Sequence, residues 1–410
     1  MRQLELHEYE EHSEPVELTV DQRDRLAVLA RSLQIRPAPG LESAYLLRPA
    51  SDVGAIQLDD LSLVILPKRS VALTRVLYLA SYAMGKIHWL EGEPEFDADS
   101  LVEAIVPVFV EAVSRAFARG LLQGYRVEED ALLTVRGRIR FDDQLRKRFG
   151  RFPPVEVRFD DYTEDIEENR MIRAALARLR AMRLRAERSR RSLSSFDGVL
   201  ERVSLVDYHP TLVPTVHFTR LNEHYRPAVA LAKLILRSTA IEVAHGRITG
   251  SAFLVDMNTV FEEFVRTAVR ERLGLSEREF PAAAANHPVY LDDRQLVRLL
   301  PDLSWWDGAT CRFVGDVKYK RTTIEGVLHP DLYQLLAYLV ATNLPAGLLV
   351  YAAGEGEPAA HQVVSVGRTL EVVSLDLSGS LAELEAQIGE VAVRVRQLAA
   401  ATRSPRAKAA

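Results

Sequence analysis

Two short strings constrain this chain more than any other part of it: Pro301-Asp302 and, a hairpin's length further on, Gly315-Asp316-Val317-Lys318. The segments Gln295–Leu303 and Cys311–Tyr319 are rich in apolar and β-branched residues, and Trp305–Ala309 holds an Asp-Gly pair between them. That pattern predicts a β-hairpin. Side chains two apart on a strand share a face, so Asp316 and Lys318 project together while Val317 turns the other way, into a core. Asp302, on the partner strand, converges on the same spot. Two carboxylates and an ammonium at one point are costly unless something uses them. A Mg²⁺ ion takes hard oxygen ligands and can hold a scissile phosphate and a water together.

The flanks add to this picture. Asp331-Leu-Tyr-Gln-Leu-Leu-Ala-Tyr338 reads as a helix start with Asp331 as N-cap and Leu332, Leu335, Leu336 and Leu339 on one apolar face. Gln334 and Tyr338, four apart, share a helix face. Upstream, Asp256-Met-Asn-Thr-Val-Phe-Glu-Glu-Phe264 opens another helix. A hairpin with these two acids and a lysine, set between such helices, resembles the PD-(D/E)XK nuclease superfamily. The resemblance implies that Asp302 and Asp316 ligate metal and that Glu262 joins them from the preceding helix. It implies that Lys318 positions or activates the attacking water. It also implies that Gln334 faces the active site and the DNA, with Tyr338 as a weaker companion. Glu263 is read as part of a solvated face.

Longer strings sharpen the resemblance. Asp256-Met-Asn258 followed by Phe261-Glu-Glu-Phe264, and Asp316-Val-Lys-Tyr-Lys320, are similar to McrC, the nuclease subunit of the McrBC modification-dependent restriction system. So are Val53-Gly-Ala-Ile-Gln57, Leu63-Val-Ile-Leu-Pro-Lys68 and Leu77-Tyr-Leu-Ala-Ser-Tyr82. Arg119-Gly-Leu-Leu-Gln-Gly-Tyr125, Val135-Arg-Gly-Arg-Ile139, Tyr162-Thr-Glu-Asp-Ile-Glu-Glu-Asn169 and Asn222-Glu-His-Tyr225 follow in the family's order. Val317 stands where the family often has a smaller residue, and it points away from the site. The resemblance implies a Mg²⁺-dependent endonuclease acting on double-stranded DNA that carries 5-methylcytosine. It implies a McrB-like hexamer, an AAA+ GTPase that binds the GTP. It also implies an N-terminal region that enters the ring's pore and stimulates GTP hydrolysis; Arg69–Arg75 is one candidate loop. The alternatives are a non-catalytic activator of the GTPase and a stand-alone DNA-repair nuclease.

Composition excludes other classes. With 410 residues, 48% hydrophobic and 27% charged, the chain is expected to fold as two or three globular domains. A net charge of −5 argues against a surface that grips nucleic acid everywhere, so basic residues must be local or affinity must come from a partner. Cys311 is the only cysteine; it reads as a core thiol, and a chain without disulfides suits a reducing cytoplasm. The N-terminus has no basic head or apolar signal core, and no apolar run approaches bilayer length, so no membrane association is expected. Gly85-Lys86 is followed by Ile87, so there is no P-loop; no zinc-helix motif or nucleophile elbow is present either.

The expected fold class is α/β, with an α+β N-terminal region and a C-terminal nuclease-like sandwich around a mixed central sheet. The expected domains are residues 1–150, docking on the GTPase; 151–250, a helical basic connection; 251–400, the endonuclease; and a disordered tail, 401–410. Expected helices include Val71–Met84, Asp99–Arg119, Asp165–Arg191, Tyr225–Arg237, Leu254–Arg272 and Leu381–Ala400. Leu145–Pro154 reads as a basic loop at a boundary. The seven arginines between Arg178 and Arg191 are read as a solvated helix exterior paired with nearby acids in preference to a phosphate-contacting surface.

Overall fold

The computed structural model describes residues 2–58, 60–83, 100–244, 247–282, 287–319, 329–352 and 359–402. It is a mixed α/β protein of two compact units. One unit takes residues 1–56, 60–101 and 254–410; the other takes residues 57–59 and 102–253. The expected segment 1–150 is therefore shared between both units. The expected disordered tail lies mostly at residues 403–410, outside the described residues, as do Met84, Asp99 and Lys320.

The first unit begins with β1 (Arg2–His7), β2 (Val16–Glu17), α1 (Val20–Leu29), β3 (Gln34–Pro37), β4 (Ala44–Arg48), β5 (Asp52–Leu58), β6 (Leu61–Leu66) and α2 (Leu73–Ala83). β1 pairs parallel with β6, which neighbours β5. The β6 run Leu-Ser-Leu-Val-Ile-Leu is apolar on both faces and buried on both, as a parallel strand requires.

The second unit contains α3 (Leu101–Phe117), β7 (Gly124–Leu132), β8 (Arg138–Ile139), α4 (Phe141–Arg148), β9 (Val155–Thr163), α5 (Glu167–Arg180), α6 (Glu187–Ser194), α7 (Arg226–Ser238), β10 (Thr239–Ala244) and most of β11 (Arg247–Asp256). The α3 stripe of Leu101, Ile105, Val108, Phe109 and Ala112 is buried, as its spacing predicts. Two expectations change. Leu145–Pro154 is helical up to Arg148, because α4 buries Gln144, whose amide bonds the carbonyls of Arg151 and Pro154 at 3.0 and 3.2 Å. Asp165–Arg191 is two helices, interrupted where Met182 and Leu184 turn inward and the Arg183 backbone exchanges two hydrogen bonds with the Gln57 side chain, at 2.9 and 3.0 Å. Its arginines have local partners: Arg178 reaches Asp207 at 2.5 Å, Arg180 pairs with Asp197, and Arg190 and Arg191 both hold Glu187.

The chain then returns to the first unit through α8 (Met257–Leu273), β12 (Val289–Tyr290), β13 (Arg298–Leu299), β14 (Leu303–Asp307), β15 (Thr310–Lys318), α9 (His329–Thr342), β16 (Ala346–Ala352), β17 (Ala359–Val363), β18 (Arg368–Leu375) and α10 (Leu381–Ala401). α8 starts three residues later than expected, because Asp256 ends β11 and caps the helix, accepting the Asn258 N–H at 3.1 Å. The sheet order is β14-β15-β16-β18-β17, parallel in its centre and antiparallel at both edges. Alternation along β15 sends Val314 toward α9, where it joins a core with Leu335, Leu339, Leu349, Tyr351 and Val372. α8 and α10 pack together and against the sheet as well. α2 returns to α8, with Tyr82 edge-on to Phe264 at 5.2 Å between ring centroids.

Candidate active site

The predicted hairpin exists in a shifted form. Arg298–Leu299 pairs with Val289–Tyr290, and the strand opposite β15 begins only at Leu303. Pro301 carries no N–H and breaks the two runs apart. Trp305 and Trp306, expected in the turn, lie within β14; the turn is the pair Gly308-Ala309, with Gly308 at φ +62°. Leu303 pairs with Gly315, so Asp302 stands just past the end of the ladder, beside Asp316. There its Oδ2 accepts the Val317 backbone N–H at 2.9 Å, in place of a further strand carbonyl.

Asp316 and Lys318 share a face and form an ion pair through Asp316 Oδ2 and the Lys318 ammonium. Asp316 is 1% exposed, and its Oδ1 has no hydrogen-bond partner. Burial, and then the neighbouring Asp302 carboxylate, push the Asp316 carboxyl up to about 8. Asp302 is also raised, by burial first and then by Glu262. Burial pulls the Lys318 ammonium down, but the carboxylates of Asp316, Asp302 and Asp331 outweigh it and hold it above its ordinary value. A buried carboxylate that resists ionisation and leaves an oxygen unpaired is poised for a cation.

Glu262 lies on α8 with its carboxylate 3.2 Å from Arg266; burial raises it, Arg266 opposes, and Asp316 lies near enough to add to the rise. Among the described residues no three His, Cys, Asp or Glu side chains gather tightly enough to form a complete ligand set. The fit is therefore to an ion that takes two carboxylates and keeps several waters, as Mg²⁺ does, with Glu262 at the margin. Asp302 and Asp316 would hold such an ion.

Gln334 is exposed and donates to the Tyr338 hydroxyl at 2.8 Å. Tyr338 is the buried member: its hydroxyl donates to the Leu300 carbonyl at 3.0 Å, and its ionisation is suppressed by burial and then by Asp316 and Asp302. So Tyr338, read from sequence as the lesser partner, is the one buried within the field of the acids. Asp331 is a residue whose importance the sequence reading missed. It sits inside the first turn of α9, 3% exposed, and accepts the Tyr351 hydroxyl at 2.6 Å. Tyr351 is the register partner of Lys318 on β16, which brings Asp331 into the lysine's field. An acid near a helix start looks like a cap; only the parallel β15–β16 register reveals the other role. Cys311 is a partly buried thiol pushed up to about 12 by burial, donating to the Phe313 carbonyl at 3.4 Å.

The fold and this cluster define a mixed α/β protein with a buried carboxylate–lysine centre at one end of its central sheet. A family profile described as McrBC 5-methylcytosine restriction system component matches residues 47–352, and the chain belongs to that family. No curated protein matches it. Among solved structures it is similar to a chain in the refined half-complex from a tetradecameric assembly of Thermococcus gammatolerans McrB AAA+ hexamers with bound McrC. That likeness has a TM-score of 0.57 at 18% identity, covering 96% of this chain and 100% of that one. The cryo-EM structure of the Thermococcus gammatolerans McrBC complex matches at a TM-score of 0.41 and 20% identity, over 66% of this chain and 88% of that one. At 18% identity the first of these likenesses concerns the fold alone. Among the described residues no helix is long and apolar enough to cross a membrane.

Proposed function

We propose that this chain is the Mg²⁺-dependent endonuclease subunit of a modification-dependent restriction system in the cytoplasm. It would cut DNA bearing 5-methylcytosine in concert with a separate AAA+ GTPase hexamer, which binds the GTP. The observation that carries the reading is Asp316: buried, paired with Lys318 through one oxygen, unpartnered at the other, and adjacent to Asp302. Family membership and the likeness to a chain from an assembly with McrB hexamers support the partner.

In this reading Asp302 and Asp316 would hold the ion, which would supply Lewis-acid chemistry toward the phosphate and the attacking water. Lys318, kept as an ammonium by its acidic neighbours, donates to the water or to a phosphate oxygen and offsets the charge developing on phosphorus. Glu262 adds negative field from α8 and reaches the centre through water. Tyr338 holds the Leu300–Asp302 turn in place through its bond to the Leu300 carbonyl, and Gln334 presents a polar edge toward the DNA.

The test is reconstitution. The chain is incubated with methylated DNA and Mg²⁺, with and without the GTPase and GTP. Cleavage that needs both proteins and GTP supports the proposal. Cleavage by the chain alone points to a stand-alone repair nuclease. Stimulated GTP hydrolysis without cleavage points to a non-catalytic activator.

A further inference from the structure

The residue immediately after Lys318 is Tyr319, 2% exposed, and it is gripped by residues far away in sequence. Its hydroxyl donates to Glu8 Oε1 at 2.6 Å, at the end of β1. Its backbone carbonyl accepts the Lys68 ammonium at 2.5 Å, at the end of β6, and that ammonium lies 4.2 Å from the Tyr319 ring centroid. The same Glu8 oxygen accepts the Lys68 backbone N–H at 2.8 Å, which locks the two grips together. The Tyr319 ring also meets Phe261, the neighbour of Glu262, at 5.7 Å between centroids. The adjoining chain ties down the start of α8: Tyr9 donates to Asn258 at 3.2 Å, and Ser51 donates to the capping Asp256 at 2.6 Å.

Glu8 is an expensive residue to keep in this place. It is 1% exposed, and its Oε2 has no hydrogen-bond partner. Burial outweighs its bonds to Tyr319 and Lys68 and pushes its carboxyl up to about 7. An apolar side chain would fill the space at lower cost to stability but could not bond both Tyr319 and Lys68. Violations of this kind are tolerated where they fix a geometry that matters.

We propose that Glu8 and Lys68 are positioning residues for the cleavage centre: by clamping Tyr319 they fix the end of β15, and with it the reach of Lys318 toward Asp316. This rests on the nuclease reading and extends it, because the clamp belongs to strands expected to serve only the GTPase. Anything that displaces the ends of β1 and β6 then alters the lysine's placement without touching an acid.

The experiment compares wild type, Glu8→Ala, Glu8→Gln and Tyr319→Phe as full-length chains, reading single-turnover cleavage with the GTPase partner and hydrogen exchange of residues 314–319. Glu8→Ala and Tyr319→Phe are expected to lower kcat by ~10- to 100-fold while KM for DNA stays within about twofold. Glu8→Gln, which keeps the accepting oxygen, restores kcat. Exchange at residues 314–319 quickens in Glu8→Ala and Tyr319→Phe and not in Glu8→Gln. If Glu8→Ala does not fold, Tyr319→Phe, which loses one hydroxyl, carries the test. Wild-type kcat and wild-type exchange in Tyr319→Phe overturn the proposal. If the wild-type chain cuts nothing with its partner, the nuclease reading has failed by itself. The exchange arm then decides the clamp: faster exchange confined to residues 314–319 sustains it, and unchanged exchange ends it.

Discussion

Asp316 and Lys318 are each other's main electrostatic support, and their loss should have different consequences for chemistry and for folding. Asp316→Ala removes a carboxylate that burial already disfavours, and Lys318 keeps 20% exposure through which water can solvate it. Single-turnover cleavage is expected to fall by ~100-fold or more in Asp316→Ala and in Lys318→Ala. Thermal melting should stay close to wild type in both. At Glu8 the expectation concerns stability. Its folded carboxyl titrates near 7, against 4.5 in the ordinary state, with Lys68, Tyr319, Tyr9 and Asp256 as the ionisable groups around it. The native state therefore holds this proton more tightly than the unfolded chain. The stabilisation is complete below pH 4.5 and is lost as pH rises through 7, up to about 3 kcal/mol for this group. Urea unfolding of wild type and Glu8→Gln between pH 5 and 8 should show the difference. Wild type weakens relative to the variant as pH rises, and parallel profiles would contradict the assignment.

The elements around the site show which parts of the fold the sequence exposes. β15 is legible because its alternation is strict: Val314, Asp316 and Lys318 on one face, Phe313 and Val317 on the other. Its partner is less so, since Leu296, Val297, Leu299 and Leu300 are apolar with only Arg298 among them, and the missing N–H of Pro301 separates β13 from β14. The close approach of β15 to β16 depends on Gly315. A Cβ there would sit 2.7 Å from the Leu348 carbonyl oxygen and 3.0 Å from the Phe313 ring. Gly315→Ala should cost about 1–3 kcal/mol in denaturant unfolding and lower cleavage by shifting Asp316. At the far end of the chain, Ser380 and Glu383 form a reciprocal capping box on α10. Ser380→Ala is expected to cost about 1 kcal/mol in the same assay while leaving cleavage intact.

At the scale of the whole molecule, the candidate acids and lysine were readable because they lie in one short stretch of sequence. The division of the chain was not, because it depends on contacts between segments far apart in the chain. Nothing in the periodicity of β1 or β6 says that their ends meet Tyr319, or that α2 returns to α8. The consequence is that the strands preceding α2 and the candidate nuclease elements form one compact unit, while residues 102–253 form another. Asp316→Ala removes one buried carboxylate of the candidate site and should abolish cutting but leave GTPase stimulation near normal, measured as phosphate release with the partner hexamer. Loss of stimulation in the folded variant would contradict a role for Asp316 confined to cutting. The central claim is that Asp302 and Asp316 hold a divalent cation. Its most direct test is an anomalous difference map from crystals of the chain grown with Mn²⁺. The account predicts a peak between the two carboxylates in wild type that vanishes in Asp316→Ala; a wild-type map with no peak there, or with Mn²⁺ bound only elsewhere, would contradict it.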